Sequence, residues 1–339
     1  MNIREETQMR EMQLLSPYAS CSQKSRGRDR LEEECDIRTV YQRDRDRIVH
    51  CKSFRRLKDK TQVFLSPQGD HYRNRLTHTL EVSQIARTIA KALSLNEDLT
   101  EAIALGHDLG HTPFGHAGER ALDRVCPLGF AHYKQSVRVV ERLEKNGAGL
   151  NLTWEVRDGI LNHRTKGSPH TLEGQVVRYC DKIAYIHHDM DDAQRAGVIT
   201  EDNIPITLRM LLGYTTRERL NTFVHDLVKN SRGKEKIAMS SEIEEGLRDM
   251  RSLMFQDVYL NPAAKTEEEK AEHVVEELYL YYSKYPEKMS EEYRKLLHQE
   301  EEKERVVCDY ISGMTDQYSL ETFRELFIPK RWSVQGKEQ

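Results

Sequence analysis

Residues 104–119 read ALGHDLGHTPFGHAGE, and three of the chain's fourteen histidines fall inside them beside an aspartate and a glutamate. Imidazoles and carboxylates at this density suit a divalent cation or the passing of protons near neutral pH. His107 and Asp108 are adjacent, about 100° apart around a helix, so both reach one ion only at a helix end or bend. Gly106 and Gly110 flank the doublet and are expected to leave space open for an ion, a water and a ligand. Neighbouring helices offer two further ligands. His78 lies on the stripe of Val82, Ile85 and Ile89 and points inward, where a histidine is more often a satisfied core residue than a ligand. Asp181, four residues after Val177 and three before Ala184, also faces inward, and a buried carboxylate needs a cation. Lys182, about 100° further round, does not obviously supply one. His78, His107, Asp108 and Asp181 give two imidazoles and two carboxylates, a set for one Mn²⁺, Fe²⁺ or Zn²⁺, with Mg²⁺ also compatible.

The elements that must position these groups are helical. Among 339 residues, 18 glycines and 9 prolines are few, which disfavours a turn-rich β sandwich or barrel. Residues 1–35 are polar and broken, reading as loop or short helix. Residues 36–64 read as helical until SPQGD, and NRLTHTLEVSQIARTIAKALSL (74–95) as an amphipathic helix with Leu76, Leu80, Ile85, Ile89 and Leu93 at helical spacing. Asn96 is a good N-cap for the next helix, which HTPFGHAG should end. Another helix covers 133–146, and residues 171–197 form a long one whose apolar face holds Val176, Val177, Cys180, Ile183 and Ala184. More helices follow, and no period of twenty to fifty residues repeats. The whole reads as one all-α assembly: an arm and first helices (1–60), a metal-binding catalytic core (61–200) and an integrated C-terminal helical region (201–339).

Composition narrows the function classes. A net charge of −4 gives no global field toward nucleic acid or membrane. Locally, Arg38 to Arg75 is basic and Glu267 to Glu304 acidic; the basic stretch suits an anionic small molecule or a solvated helix face. Cys21, Cys35, Cys51, Cys126, Cys180 and Cys308 form no C-x-x-C pair, and no apolar run suggests a leader or a membrane span. Free thiols in a reducing cytoplasm are expected, so the sequon at Asn151 is a chance match. Neither a Walker loop nor G-x-G-x-x-G occurs.

The order His78…His107-Asp108…Asp181 resembles the HD superfamily of metal-dependent phosphohydrolases. FRRLKDKTQVF, RNRLTHTLEVSQIAR, GHDLGHTPFGHAGE, EGQVVRYCDKIAYIHHDMDDA and DYISGMTDQY resemble its deoxyguanosine triphosphate triphosphohydrolase branch. SPYASCSQKSRGR is similar to the arm of that branch's shorter bacterial members, so the likeness runs from Ser16 to about Pro329. It implies an all-α HD bundle that removes intact triphosphate from a deoxynucleoside triphosphate, using one divalent ion.

By the same resemblance, His116 and Glu119 match the pair that protonates the leaving 5′-oxygen, and His111 and His132 match histidines beside the phosphates. Arg75 and Lys182 match phosphate contacts; Gln62, Tyr185 and Asp189 match positions that grip the deoxyribose and refuse ribose. HHDMDDA, which holds Asp189, reads otherwise as a solvated acidic face. MFQDVYL and DYISGMTDQY are candidates for the base-pocket walls. His163 and Glu173 fall in family-like strings with no role attached, while His50, His71 and His170 read as surface or capping residues. The resemblance also implies a homo-oligomer, hexamer or tetramer, with a nucleotide activator or single-stranded DNA as further partners. Two other readings stand beside it: an HD nucleotidase acting on monophosphates, and a nucleotide or single-stranded DNA sensor with little turnover.

Overall fold

Capping residues start most of the helices that matter. Asn74 is one half of a capping box: its side chain accepts from Thr77 N at 2.9 Å while Thr77 Oγ1 accepts from Asn74 N at 3.1 Å. Asn96 accepts from Leu99 N, and Thr171 from Gly174 N, in the same manner. The computed structural model describes residues 1–62, 72–299 and 302–330, the side chains of 262–265 aside; these residues hold sixteen α-helices and no strand.

In chain order the first half comprises α1 (Ile3–Leu14), α2 (Val40–Val49), α3 (Lys52–Arg56), α4 (Arg75–Ala92), α5 (Glu97–Gly106), α6 (Gly115–Val125), α7 (His132–Arg138), α8 (Trp154–Asn162) and α9 (Leu172–Arg195). The second half comprises α10 (Ile206–Leu212), α11 (Thr216–Ser231), α12 (Ser241–Met254), α13 (Pro262–Lys284), α14 (Glu291–Leu297), α15 (Lys303–Ser312) and α16 (Asp316–Phe327).

Two cores result. In the larger, α5 is surrounded by α2, α4, α8 and α9, and Ile48, Ile85, Ile89, Ile103, Ile160, Val177 and Ile183 are fully or nearly fully buried. The smaller core is built by α6 against α13 to α16, around Leu122, Val275, Leu278, Val306 and Ile311. The site lies where these cores meet. Arm residues are sewn to the first core by carboxylates: Glu173 accepts from Ser20 N and Asn96 N, and Glu155 from Ser25 Oγ and Arg26 N.

Several expectations change. The stretch 36–64 is divided into α2, α3 and a 3₁₀ turn; SPQGD, with His71, lies outside the described residues. Leu80 is half exposed, because the inward stripe runs through His78, Val82, Ile85 and Ile89 and residue 80 points about 200° from His78. HTPFGHAG stops nothing: α5 ends earlier, at Gly106, and Gly115 begins a helix of its own. The helix expected over 133–146 begins at His132 as α7 and closes in a π-helical turn at Val139–Leu143. His50 is the C-cap of α2, and His170 is exposed. The basic stretch is largely consumed within the chain, with Arg38 on Asp46, Arg45 on Asp98 and Glu101, and Arg47 on Glu32.

Candidate functional site

Helices α4, α5 and α9 bring His78, His107, Asp108 and Asp181 together. His107 is the C-cap of α5, which lets neighbouring Asp108 turn to the same side. Its Nδ1–H donates to Ala104 O at 2.6 Å, leaving Nε2 to face the carboxylates. That Nε2 is buried without a hydrogen-bond partner, 3.6 Å from Asp108 Oδ1 and 3.6 Å from Asp181 Oδ1. His78 Nε2 stands 3.2 Å from Asp181 Oδ1. Ligand atoms about 2.1 Å from one ion lie roughly 3.0–3.4 Å apart; His78, His107 and Asp108 are grouped closely enough to hold a divalent cation, with Asp181 against both imidazoles at their edge.

Its electrostatics point the same way. Burial alone would lower the His107 pKa, but Asp108 and Asp181 outweigh it and raise it to about 9. Burial likewise opposes ionisation of Asp108, yet His107 and Arg75 hold it well below the usual carboxylate range. The cluster favours positive charge, and a divalent ion would take the place of the proton.

Behind the doublet, the loop from His107 to Phe114 is pressed against α7. A Cβ on Gly110 would stand 2.1 Å from Ser136 N, and Ser136 Oγ accepts from Gly110 N while donating to His107 O. A Cβ on Gly106 would stand 2.6 Å from Ile160 Cδ1, and one on Gly118 2.0 Å from Pro113 O. These glycines therefore permit close approach of backbone and side chains and do not hollow out the cavity, contrary to the sequence expectation.

Close approach at Gly110 puts the His111 ring parallel to His132, centroids 4.5 Å apart. Burial, then Arg75 and His132, keep His111 neutral. Glu119 is the hub of the histidines: it accepts from His132 N and Nδ1, both at 2.9 Å, and from His116 Nδ1 at 3.2 Å. Burial resists its ionisation, but His116 and His132 hold its pKa far below the ordinary value.

A cavity of about 870 Å³ opens over this floor and is lined by Gln62, Arg75, His78, Asp108, His111, His116, Glu119, His132, Asp181, Tyr185 and Asp189. Arg75 gives Nη1 to Asp108 Oδ2 at 2.7 Å and leaves Nε and Nη2 unpaired. Gln62 Oε1 is also buried without a partner. Asp189 bonds Tyr259 through one oxygen, and burial raises its pKa to about 8. With His187, His188, Asp189 and Asp192 all buried, HHDMDDA is not a solvated face. Two expected residues are absent from the lining: His107, fully buried behind Asp108, and Lys182, one step round α9 from Asp181, whose ammonium lies over the Tyr179 ring.

Other lining residues carried no earlier role. Arg120, Arg164 and Arg251 are further cations in the lining, and Phe255, Tyr259 and Leu260 come from MFQDVYL, which the sequence did mark as a candidate wall. DYISGMTDQY does not line the cavity. His163 gives Nδ1–H to Ile160 O and meets His132 Nε2 with its own Nε2 at 3.3 Å, a pairing no sequence signal indicates.

The chain is similar to several known proteins. Residues 75–186 match the HD domain family and residues 237–325 the phosphohydrolase-associated domain family. A deoxyguanosinetriphosphate triphosphohydrolase-like protein from Caldanaerobacter subterraneus subsp. tengcongensis is 58% identical over 336 residues, covering 99% of each chain. One from Clostridium perfringens (strain 13 / Type A) is 50% identical over 339 residues, covering 97% of this chain and 99% of that one. The crystal structure of a hypothetical protein from Aquifex aeolicus aligns at 20% identity with a TM-score of 0.49, over 85% of this chain and 68% of that chain.

Proposed function

Since the chain belongs to the family of deoxyguanosinetriphosphate triphosphohydrolase-like proteins, we propose that it is a metal-dependent deoxynucleoside triphosphate triphosphohydrolase yielding deoxynucleoside and tripolyphosphate. The observation that supports this best is the junction of two sites in one cavity. The metal-compatible cluster of His78, His107, Asp108 and Asp181 lies beside the Glu119-linked histidines, under a wall that carries Gln62, Tyr185 and Asp189.

His78, His107, Asp108 and Asp181 would hold a divalent ion, Mn²⁺, Fe²⁺ or Zn²⁺ by donor type with Mg²⁺ compatible, which would supply Lewis acidity toward the α-phosphate and the attacking water. The protein's own groups do the rest. Arg75, fixed through Nη1, offers Nε and Nη2 to phosphate oxygens, and Arg164 and Arg251 add charge along the cavity. His116 keeps its Nδ1 on Glu119 and gives the Nε2 proton to the 5′-oxygen as the P–O bond breaks. His132, held by the same carboxylate, and neutral His111 flank the phosphates. Gln62, Tyr185 and the Asp189–Tyr259 pair receive the deoxyribose, and packing against its 2′ carbon excludes ribose.

Product analysis tests this. Purified protein with Mn²⁺ and each deoxynucleoside triphosphate, singly and mixed, is expected to release intact tripolyphosphate, and a variant carrying His107→Ala and Asp108→Ala none. Stepwise orthophosphate would favour a nucleotidase. Binding of nucleotide or single-stranded DNA without turnover would favour a sensor.

A further inference from the structure

DYISGMTDQY lies behind the cavity and holds it from there. Asp316, the first residue of α16, is 9% exposed, and both its oxygens bond backbone far earlier in the chain. Oδ1 accepts from Phe114 N at 2.9 Å, and Oδ2 from Thr61 N at 2.9 Å and from Thr61 Oγ1. Phe114 is the N-cap of α6 with φ +60°, a left-handed conformation that crowds Cβ and needs holding. Only two residues later comes His116, then Glu119; Thr61 directly precedes Gln62.

Lys60 completes the clasp. It is 3% exposed, and its Nζ donates to Ser312 O at 2.7 Å and to His111 O. Its own carbonyl accepts from Arg75 N at 3.1 Å. One carboxylate and one ammonium, neither lining the cavity, thus join the segments that carry Gln62, Arg75, His111, His116 and Glu119 to the turn between α15 and α16.

We infer that Asp316, seconded by Lys60, is a positioning residue: it holds the left-handed start of α6 and so sets where His116 and Glu119 stand relative to the metal cluster, coupling the phosphohydrolase-associated region to the chemical step. This rests on the proposed hydrolase reading only for its kinetic arm.

Asp316→Asn preserves size, but its amide nitrogen cannot accept, so one backbone N–H loses its partner. Against a substrate that the wild type hydrolyses, kcat is expected to fall about tenfold with KM within about twofold, as for a displaced proton donor. Bound Mn²⁺ per chain stays unchanged. Asp316→Glu, which keeps both acceptors, restores part of the loss.

The control is Asp44→Asn. Asp44 is fully buried and accepts from Thr153 N and Oγ1 through one oxygen, as Asp316 does from Thr61, while Arg28 holds the other on the arm side. It should lower Tm and leave kcat alone.

A second arm needs no turnover. In ¹⁵N-histidine spectra of the full chain, the His116 and His132 ring signals should shift in Asp316→Asn and those of His78 and His107 should not. Unmoved His116 and His132 signals, or a kcat effect no larger than that of Asp44→Asn, overturn the inference. Absence of tripolyphosphate from the wild type overturns the hydrolase reading instead and leaves the spectroscopic arm to decide.

Discussion

At the scale of single residues, the site works by leaving chosen polar atoms unpaired. His107 Nε2, Arg75 Nε and Nη2, Gln62 Oε1 and Asp189 Oδ1 are buried without partners, although such atoms ordinarily cost about 1–3 kcal/mol each. Asp189 gives this cost a pH signature. Burial raises its folded pKa to about 8, against an ordinary aspartate value of 3.8. Between those values the unfolded chain releases the proton and the folded chain keeps it, so Asp189 lowers stability progressively as pH rises from about 4 to about 8. Asp189→Asn removes the titration and keeps an acceptor for Tyr259. Its stability relative to wild type should therefore grow across that window, by at most roughly 1.4 kcal/mol per pH unit, and level off above it. Urea melts of both proteins from pH 5 to 9 check this; parallel curves would refute it. His107 was legible from the sequence, because a ligand set needs particular donor types in order, whereas Arg75, Gln62 and Asp189 were placed by likeness. Lys182 was placed by likeness, and a shift of about 100° round a helix is invisible to likeness. His163 was seen but left without a task, since its meeting with His132 needs three-dimensional knowledge of α7 and α8.

At the scale of elements, the decisive feature is how tightly the loop after α5 is pressed onto α7. The sequence showed the glycines but suggested emptiness, because spacing alone cannot tell a residue that lines a cavity from one that touches a backbone. Gly110→Ala distinguishes the two. An empty neighbourhood would tolerate a methyl group, whereas here it collides with Ser136 N and Gln135 C and must push α7 away. Overpacking of this kind costs about 1–3 kcal/mol, and it separates His111 from His132. We expect a lower urea midpoint and a loss of turnover greater than that of Ser136→Ala, which removes the Oγ bridge without adding bulk and should cost about 1 kcal/mol. Equal or milder effects for Gly110→Ala would restore the open-space reading. Helices announced by apolar stripes and caps, such as α4 and α9, were legible for the same reason that α6 was not. A helix that begins on a left-handed Phe114 and a glycine, held by a carboxylate 202 residues away, carries no local start signal.

At the scale of the whole molecule, the question is whether the HD-matching part is a unit by itself. All four residues proposed to hold the metal lie within 75–186. The helix that carries His116 and Glu119, however, belongs to the other core: Phe114, Ala121, Leu122 and Cys126 pack with α13 to α16. The ion-pair ladder along that joint, Arg120 on Glu268 and Glu272 and Arg124 on Glu272 and Glu276, has arginines about half exposed and contributes little. Apolar burial dominates. Stripping the second core from Phe114, Leu122 and Phe130 would forfeit about 1.5–3 kcal/mol per large side chain. Removing Asp316 and Ser312 also frees Phe114 N and Thr61 N and takes one of the two acceptors from the Lys60 ammonium at once. Against a typical total stability of about 5–15 kcal/mol, those losses are decisive. A fragment ending at residue 235 is therefore expected to retain every metal ligand and still fail to fold, showing no cooperative melt and no Mn²⁺ bound at one ion per chain. Co-expression with residues 236–339 should restore both. A monomeric 1–235 fragment that melts cooperatively and binds Mn²⁺ would show instead that the first core organises the metal centre alone, with the C-terminal helices serving only the proton-donating histidines.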